Sequence, residues 1–479
     1  MSLLAKYMPR ATPLDPAEDP PGSVDPLGTL GPAERIAEVL FPGFTARMWR
    51  PRLLTFAALS SIVAERVKKL LPESDDVGMT ARLGFERLFV SSVVRQQENN
   101  PESWRLAVVK FPGSTLARRA LRSGDMPLSL SNFLKGQAAN GPYGVIARLA
   151  RNLGILDEDD RLGHNGEELL LKWSADEGLP GLLDEYNSNS PGKLWLDRYV
   201  QETIAHVTKG HWRNTGWTRW HELAERLRLD NIGRQERCVI RKLLDIDPIR
   251  ARCLELLCKP NTRAVYRAAH DGGRSGQDHN VLLDAVLPAL SANTREEDRV
   301  IDLTIRLADA YEGVAFLLET AFNCLIWGLT RRGGQAKPIE IESDIQLQPV
   351  FQSLCWQLAG AARQLCDLIE RIPSIRNISD YNPIEPLDAI ASKALAGAGS
   401  ISQLLDAIIT RHKDVQDSKR KGMWIEQGDQ WRLMPGFGLA SAAPPQSQVT
   451  YLHTFRIPNA YSFLGELGLS GVEVLDGEE

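Results

Sequence analysis

The stretch EDRVIDLTIRLADAYEGVAFLLETAFNCLIWGL, residues 297–329, decides the fold class of this chain. Its apolar residues recur at steps of three and four, which is the period of one face of an α-helix. These positions are Ile301, Ile305, Ala308, Tyr311, Val314, Leu318, Ala321 and Leu325. The pattern predicts a long amphipathic helix, the longest in the chain.

Shorter stretches on both sides of this helix show the same period. We predict helices over residues 32–40, 52–71, 79–94, 142–153 and 347–372, with one or two more over 386–413. Pro32 suits a first helical turn, and Gly154 is expected to end the fourth of these helices. After Lys421, short aromatic runs separated by Gly and Pro predict strands. The expected fold class is mainly α: a multi-domain helical protein with a winged-helix-like segment and a small β-rich C-terminal unit.

The length of 479 residues exceeds the usual size of one domain, about 100–200 residues. Changes in composition along the chain predict six consecutive regions. They are a disordered Pro-rich tail (1–26), an N-terminal helical domain (27–127), a winged-helix-like segment (128–175), a Trp-rich helical domain (176–285), a long-helix bundle (286–415) and a small α/β C-terminal unit (416–479).

The composition favours a globular protein, because 43% of the residues are hydrophobic and 24% are charged. The net charge of −5 gives no overall basic footprint of a dedicated nucleic-acid binder. The six cysteines lack CxxC spacing, so we expect free thiols in a reducing compartment. The first residues contain no apolar signal-peptide core, and no apolar run approaches the roughly 20 residues of a membrane span. We therefore expect a cytoplasmic protein.

The common catalytic motifs are missing: the P-loop, the strand-coupled GxGxxG, HExxH, GxSxG and the kinase set. Two groups of histidines could in principle supply metal ligands or acid–base groups instead. His206, His211 and His221 are five and ten residues apart, which matches no standard metal-ligand pattern. The loop with His270, Asp271, Asp278 and His279 is rich in glycine and is typical of a solvated linker. We predict no catalytic residue, no metal and no cofactor.

Positive charge is concentrated in three segments. Residues 47–69 contain six basic residues against one acid, residues 110–122 contain four basic residues and no acid, and residues 209–242 contain nine against four. Clustered Lys and Arg are what phosphate binding needs, because affinity comes largely from counterion release. The candidate nucleic-acid contacts are Arg47, Arg50, Arg52, Arg118, Arg119, Arg234, Arg237, Arg241 and Lys242. Ordinary solvated helix faces paired with acids remain the alternative.

The third basic segment also has helix-turn-helix spacing. WHELAERLRLDNIGRQERCVIRKLL (220–244) predicts a helix, a break at residues 231–233 and a second helix that carries Arg234, Arg237, Arg241 and Lys242. The same pattern occurs in any αα-hairpin. Recognition of DNA by this second helix is thus one of two interpretations.

Three short blocks resemble a known family. In the first, Asp25, Leu27 and Gly28 precede LFPG (residues 40–43), followed by Thr45, Arg50, Arg52 and Phe56. The others are GPYGVIARLARNLGIL (141–156) and YEGVAFLLETAF (311–322). The chain resembles an uncharacterised prokaryotic family with an LFPG turn and an Arg-rich N-terminal block, found in phage-defence gene clusters. The resemblance implies a component of a defence system that acts beside another subunit, and it transfers no catalytic residues.

Three functions stay open at this point. The first is a non-enzymatic DNA-contacting or adaptor subunit of a multi-component antiviral defence system. The second is a protein scaffold or regulator that holds a partner effector enzyme, and the third is a cryptic metal-dependent nuclease. The expected partners are double-stranded DNA and another protein subunit of the same gene cluster, with no membrane.

Overall fold

A computed structural model gives the fold of the chain. It describes residues 25–71, 77–124, 126–184, 186–187, 189–209, 220–271, 278–290, 295–348, 351, 353–370, 384–434, 437 and 452–469. Helices dominate these residues, which confirms the predicted mainly α character of the chain. The predicted tail (1–26) falls outside the described residues except for Asp25 and Pro26, and so does most of the loop 271–280.

The first half of the chain forms twelve helices within the described residues. They are α1 (Leu30–Leu40), α2 (Arg52–Leu70), α3 (Val77–Asn99), α4 (Ser114–Arg122), α5 (Gln137–Asn140), α6 (Pro142–Asn152), α7 (His164–Asp176), α8 (Pro191–Lys209), α9 (Trp220–Arg226), α10 (Arg234–Leu244), α11 (Pro248–Leu257) and α12 (Pro260–Asp271). A 3₁₀ turn covers Leu106–Val108.

The second half contains the long helix and the sheet. Its helices are α13 (Asp278–Val281), α14 (Leu287–Leu290), α15 (Glu296–Arg331), α16 (Pro338–Gln346), α17 (Leu354–Glu370), α18 (Ile384–Gly397), α19 (Ile401–Ser418) and α20 (Ile457–Glu466), with a π-helical turn at Leu282–Val286. Its strands are β1 (Gln335–Ala336), β2 (Ile425–Glu426) and β3 (Trp431–Leu433).

The chain divides into two compact units, each assembled from separate segments. Unit 1 consists of Met1–Val39, Ala269–Leu290 and Arg299–Phe455, and unit 2 of Leu40–Ala268, Ser291–Asp298 and Arg456–Glu479. The six consecutive regions that the sequence predicts are a finer division of the chain and stay a prediction. Composition changes along the chain do not show which distant segments pack together, such as α20 and the segments of unit 2 that precede it by more than 200 residues.

The core of unit 1 is built on α15. All eight positions of the predicted apolar stripe are buried, from Ile301 to Leu325. By length and composition alone, an 18-residue window of α15 is apolar enough to cross a membrane, contrary to the expectation from sequence. However, 67% of that window is buried inside the protein. A mostly buried helix of this kind is also typical of the core of a soluble protein.

The N-terminal end of unit 1 is held by α19. Arg411 donates through Nε to the carbonyl of Leu27 at 2.7 Å, and His412 Nδ1 lies 3.0 Å from the carbonyl of Pro26. Asp25 and Pro26, which the sequence assigns to the tail, are thus part of the described structure.

The sheet of unit 1 is antiparallel with the order β1-β3-β2. The sequence predicts strands after Lys421, and two are present there, whereas the stretch RRGGQAKP (331–338) after the long helix predicts a loop. That loop prediction was wrong for Gln335 and Ala336, which pair with Arg432 and Trp431 of β3. A two-residue strand is too short to show the alternation that marks strands in a sequence.

Aromatic residues form the core of unit 2. Phe56 on α2 stacks on Phe85 and Phe89 of α3, with ring centroids 5.8 and 4.4 Å apart. Trp173 on α7 and Trp195 on α8 meet edge to face at 5.5 Å. Contacts of this kind stabilise a core beyond the area that they bury. Trp173 and Trp195 therefore anchor the interior of this unit.

Two helix pairs that the sequence singled out lie in unit 2. Helices α6 and α7 are joined by a tight connection in which Gly154 has φ +65° and Leu156 forms a β-bridge with Leu162. Helices α9 and α10 flank the predicted break at residues 231–233. The helices and breaks are confirmed, while the winged-helix character of the first pair stays a prediction.

Candidate nucleic-acid interface

The first basic segment contacts both of the other two in unit 2. Arg50, just before α2, donates to the carbonyls of Leu106 and Val109 at the edge of the second segment. Arg52 donates through Nη1 to the carbonyl of Arg226 at 2.9 Å and also reaches the carbonyl of Asn231. The first segment is thereby tied to the second and to the third.

Arg52 lies in a buried cluster of charges. Its Nη1 is 3.3 Å from Oε2 of Glu236 and 3.5 Å from Oε1 of Glu177. Glu236 is fully buried and also accepts a hydrogen bond from the hydroxyl of Thr55. Burial raises the pKa of Glu236, and the neighbouring Arg52 opposes that shift. The cluster fixes the start of α10 against α2.

Arg50 is buried in the same way, with a carboxylate from the far end of the chain. Its guanidinium forms an ion pair with Glu466 at the end of α20. Only 2% of Arg50 and 1% of Arg52 is exposed. We therefore correct the sequence-based assignment of these two residues: their guanidinium groups satisfy internal carbonyls and carboxylates and do not reach an external phosphate in this structure.

Arg47 lies on the surface a short distance along the same turn. Its guanidinium donates to the side-chain carbonyl of Asn140. Gly43, with φ +85°, makes the turn that ends the LFPG block, and the carbonyl of Pro42 accepts a hydrogen bond from Arg250 at 2.8 Å. The turn predicted from Pro42 and Gly43 is thus present, and it presents Arg47 to solvent.

Lys110 is an exposed cation that joins the first two segments. Its ammonium lies 3.4 Å from the ring centroid of Trp49, a cation–π contact. Lys110 was counted in the second basic segment but not singled out as a contact. The sequence does contain a signal for such a contact, because Trp49 lies between the arginines of the first segment. Aromatics interleaved with cations are typical of nucleic-acid surfaces.

A second pair of this type involves Trp104. The guanidinium of Arg228 lies 4.7 Å from the Trp104 ring centroid and donates to the carbonyl of Ser103. Asp230 accepts from Arg228 Nε at 2.8 Å. This contact joins the third segment to the residues that precede Lys110. It could not be predicted from the sequence, because Trp104 and Arg228 are far apart along the chain.

The arginines of α4 differ in what they contact. Arg118 and Arg122 both donate to the carboxylate of Glu98 at the end of α3, at 3.0 and 3.1 Å through Nε. Arg119 on the same helix is exposed. Of the two predicted contacts on α4, Arg119 is thus presented to solvent and Arg118 is half-buried in an ion pair.

Helix α10 has one buried and one basic face, as predicted. Val239, Ile240 and Leu243 are buried. Arg234 and Lys242 are exposed, and Lys242 lies 3.4 Å from Glu168. The half-buried Arg237 and Arg241 donate to the carbonyls of Ile232 and Leu467.

Two cations of the helix thus face solvent, while two are directed at backbone carbonyls. We use the name basic surface of unit 2 for five exposed cations of the three segments: Arg47, Lys110, Arg119, Arg234 and Lys242.

The histidine groups do not form a metal site among the residues that can be described. No group of three His, Cys, Asp or Glu side chains within the described part of the chain could hold a metal ion. His206 is buried on α8, with its Nε2 3.4 Å from Arg87 Nε. His211 and the side chains of His270, Asp271, Asp278 and His279 lie outside the described residues.

A buried carboxylate on α3 holds the start of α6. Glu86 accepts from the backbone N–H of Tyr143 and from Nε2 of Gln137, both at 2.7 Å. Burial raises the pKa of Glu86 to about 7, against the effect of these hydrogen bonds and of Arg87. All of its contacts are internal and explain a structural role, since a carboxylate at the start of a helix accepts otherwise unpaired N–H groups.

No protein-family model matches the chain, and neither the curated proteins nor the solved structures contain a match. The resemblance to the phage-defence family stays a prediction.

Proposed function

We propose that this chain is a non-enzymatic, DNA-contacting subunit of a multi-component antiviral defence system in the cytoplasm. The observation that supports the proposal is the contact of the first basic segment with the other two, which places clustered positive charge in one unit of an acidic protein. Phosphate binding through counterion release needs such a local concentration and not a basic chain as a whole. The resemblance of the LFPG block supplies the defence context.

The helix pairs of unit 2 support the same proposal. In helix-turn-helix proteins the start of the second helix meets the DNA groove. Arg234 is the first residue of α10 and is exposed. The winged-helix-like segment, with α6 and α7, belongs to this proposal as a second element of the DNA-contacting unit.

DNA binding by the full chain tests the proposal. We expect fluorescence anisotropy with a labelled duplex to show affinity that falls steeply with salt. Arg47→Gln and Lys110→Gln should each lower the slope of log K against log salt by about one, because each removes one phosphate contact. Lys413→Gln, an exposed lysine on α19 in unit 1, is the matched control and should leave the slope unchanged. Salt-insensitive or absent binding, alone and with the neighbouring gene products, would refute DNA contact.

Binding of a protein partner is the second function that a specific observation favours. In unit 1, Trp356 on α17 is 68% exposed, and Leu347 and Ile339 are exposed to 76% and 64%. Exposed Trp residues often supply the main binding energy at protein interfaces. An adaptor role therefore suits unit 1, while the basic surface suits DNA.

Co-purification with the product of an adjacent gene tests the adaptor role. Trp356→Ala should weaken the complex, and Leu130→Ala, a change at an exposed leucine in unit 2, should leave it intact. Equal recovery of the partner with both variants would argue against an interface at Trp356.

A further inference from the structure

A cleft in unit 2 is lined by none of the five residues of the basic surface, although Arg66 and Lys69 belong to the first basic segment. Its volume of about 450 Å³ is within the range of small-molecule sites. It is lined by Arg66, Lys69, Leu70, Lys193, Asp197, Val200 and Gln201. Three of these side chains are cations and one is an acid, so the lining has an excess of two positive charges.

Two of the cations are held in place by one carboxylate. Asp197 accepts from Arg66 Nη1 at 2.6 Å and from Lys193 Nζ at 2.7 Å. Arg66 comes from the last turns of α2, while Lys193 and Asp197 lie one turn apart on α8. A single carboxylate positions both cations but neutralises only one of them. Lys69, one turn beyond Arg66, adds a further exposed charge to the same cleft.

The charge and the size of the cleft together indicate a ligand class. A phosphate monoester carries about −1.5 to −2 charges near neutral pH, which matches the excess of two. A lone phosphate would leave most of the cleft empty. Leu70 and Val200 offer apolar surface beside the cations, and the amide of Gln201 offers a donor and an acceptor.

We propose that this cleft binds a terminal phosphate monoester attached to an organic body of mononucleotide size. A free nucleotide and the 5′-phosphorylated end of a nucleic acid share that chemistry. The proposal goes beyond contact with duplex DNA and does not rest on it, because the cleft contains none of the residues of the basic surface.

Titration calorimetry of the full chain with adenosine 5′-monophosphate (AMP) tests the cleft, with adenosine as the uncharged control. AMP should bind and adenosine should not. Lys69→Gln and Lys193→Gln should each weaken AMP binding about tenfold, as expected for the loss of one charge-assisted hydrogen bond. Lys413→Gln should bind AMP like the unchanged chain. Thermal unfolding without ligand verifies that each variant is folded.

Equal binding of AMP and adenosine, or AMP affinity that survives both cleft substitutions, would overturn the proposal, as would no AMP binding at all.

Competition with single-stranded oligonucleotides then separates the two sources. Displacement of AMP by a 5′-phosphorylated strand alone identifies a nucleic-acid end, and displacement by neither strand identifies a free nucleotide. Equal displacement by a 5′-hydroxyl strand would indicate phosphodiester binding and contradict the monoester. Weaker duplex binding by Arg47→Gln with intact AMP binding would separate this site from the basic surface.

Discussion

Two arginines in unit 2 occupy the same position in their helices and have opposite surroundings. Arg52 is the first residue of α2 and Arg234 is the first residue of α10. Arg52 is 1% exposed and contacts Glu236, whereas Arg234 is exposed to solvent. Counting charges along the chain gives both residues equal weight. The comparison teaches that the environment of the helix, and not its charge, decides whether a cation can meet an external phosphate.

The largest expected effect is the loss of the buried cation. Arg52→Ala leaves Glu236 without its buried partner, and removal of one member of a buried ion pair typically costs about 3–5 kcal/mol. Arg234→Ala is the matched control, and exposed substitutions of this kind usually change stability by less than about 0.5 kcal/mol. Urea unfolding followed by circular dichroism measures both. Similar unfolding free energies for the two variants would remove the distinction between the two helix starts.

The sequence does contain a signal that separates the two helices. In α2, the run LLTFAALSSIVA after Arg52 is apolar or small on every side, and all twelve of these residues are buried. A helix without a polar face is typical of an interior, and so its first cation is expected inside. In α10 the apolar residues keep to one face, which leaves room for Arg234 outside. The total charge of a segment does not reveal this difference.

The long helix α15 could be predicted almost to its ends, because its apolar stripe is a local pattern. The assembly of the basic surface could not be predicted in the same way. It depends on contacts such as that of Arg50 with Glu466, which are separated by 416 residues. No local period encodes such a pair. The cleft at Asp197 was missed for the same reason, since Arg66 and Lys193 come from different helices.

The comparison of buried with exposed groups also applies to acids, for which we expect an effect of intermediate size on the unfolding free energy. Burial raises the pKa of Glu86 to about 7, above the ordinary value of 4.5. The folded state therefore holds a proton between these pH values that the unfolded state has released. Its contribution to stability is present below about pH 4.5 and is lost as pH rises to about 7. One such carboxyl gives a slope of up to about −1.4 kcal/mol per pH unit in that range.

Unfolding at several pH values tests this sign. The unfolding free energy of Glu86→Gln should depend less steeply on pH between 5 and 7 than that of the unchanged chain. The slope is the measured quantity, because Gln also disturbs the two hydrogen bonds that Glu86 accepts. Glu426→Gln, a change at an exposed acid on β2, serves as the control and should keep the original slope. A slope unchanged in Glu86→Gln would show that this carboxyl does not titrate there.

The smallest effect is expected where a cation is paired but exposed. Arg122 on α4 lies 3.1 Å from Glu98, yet 67% of its side chain is exposed. Exposed ion pairs of this type contribute about 0–1 kcal/mol, because water screens the charges and ordering the long side chain costs entropy. Arg122→Gln should therefore leave the urea midpoint almost unchanged, and raising the salt concentration should diminish any difference that remains. A loss close to that of Arg52→Ala would mean that pairing and not burial sets the contribution of an arginine here, and the contrast between the two helix starts would need another explanation.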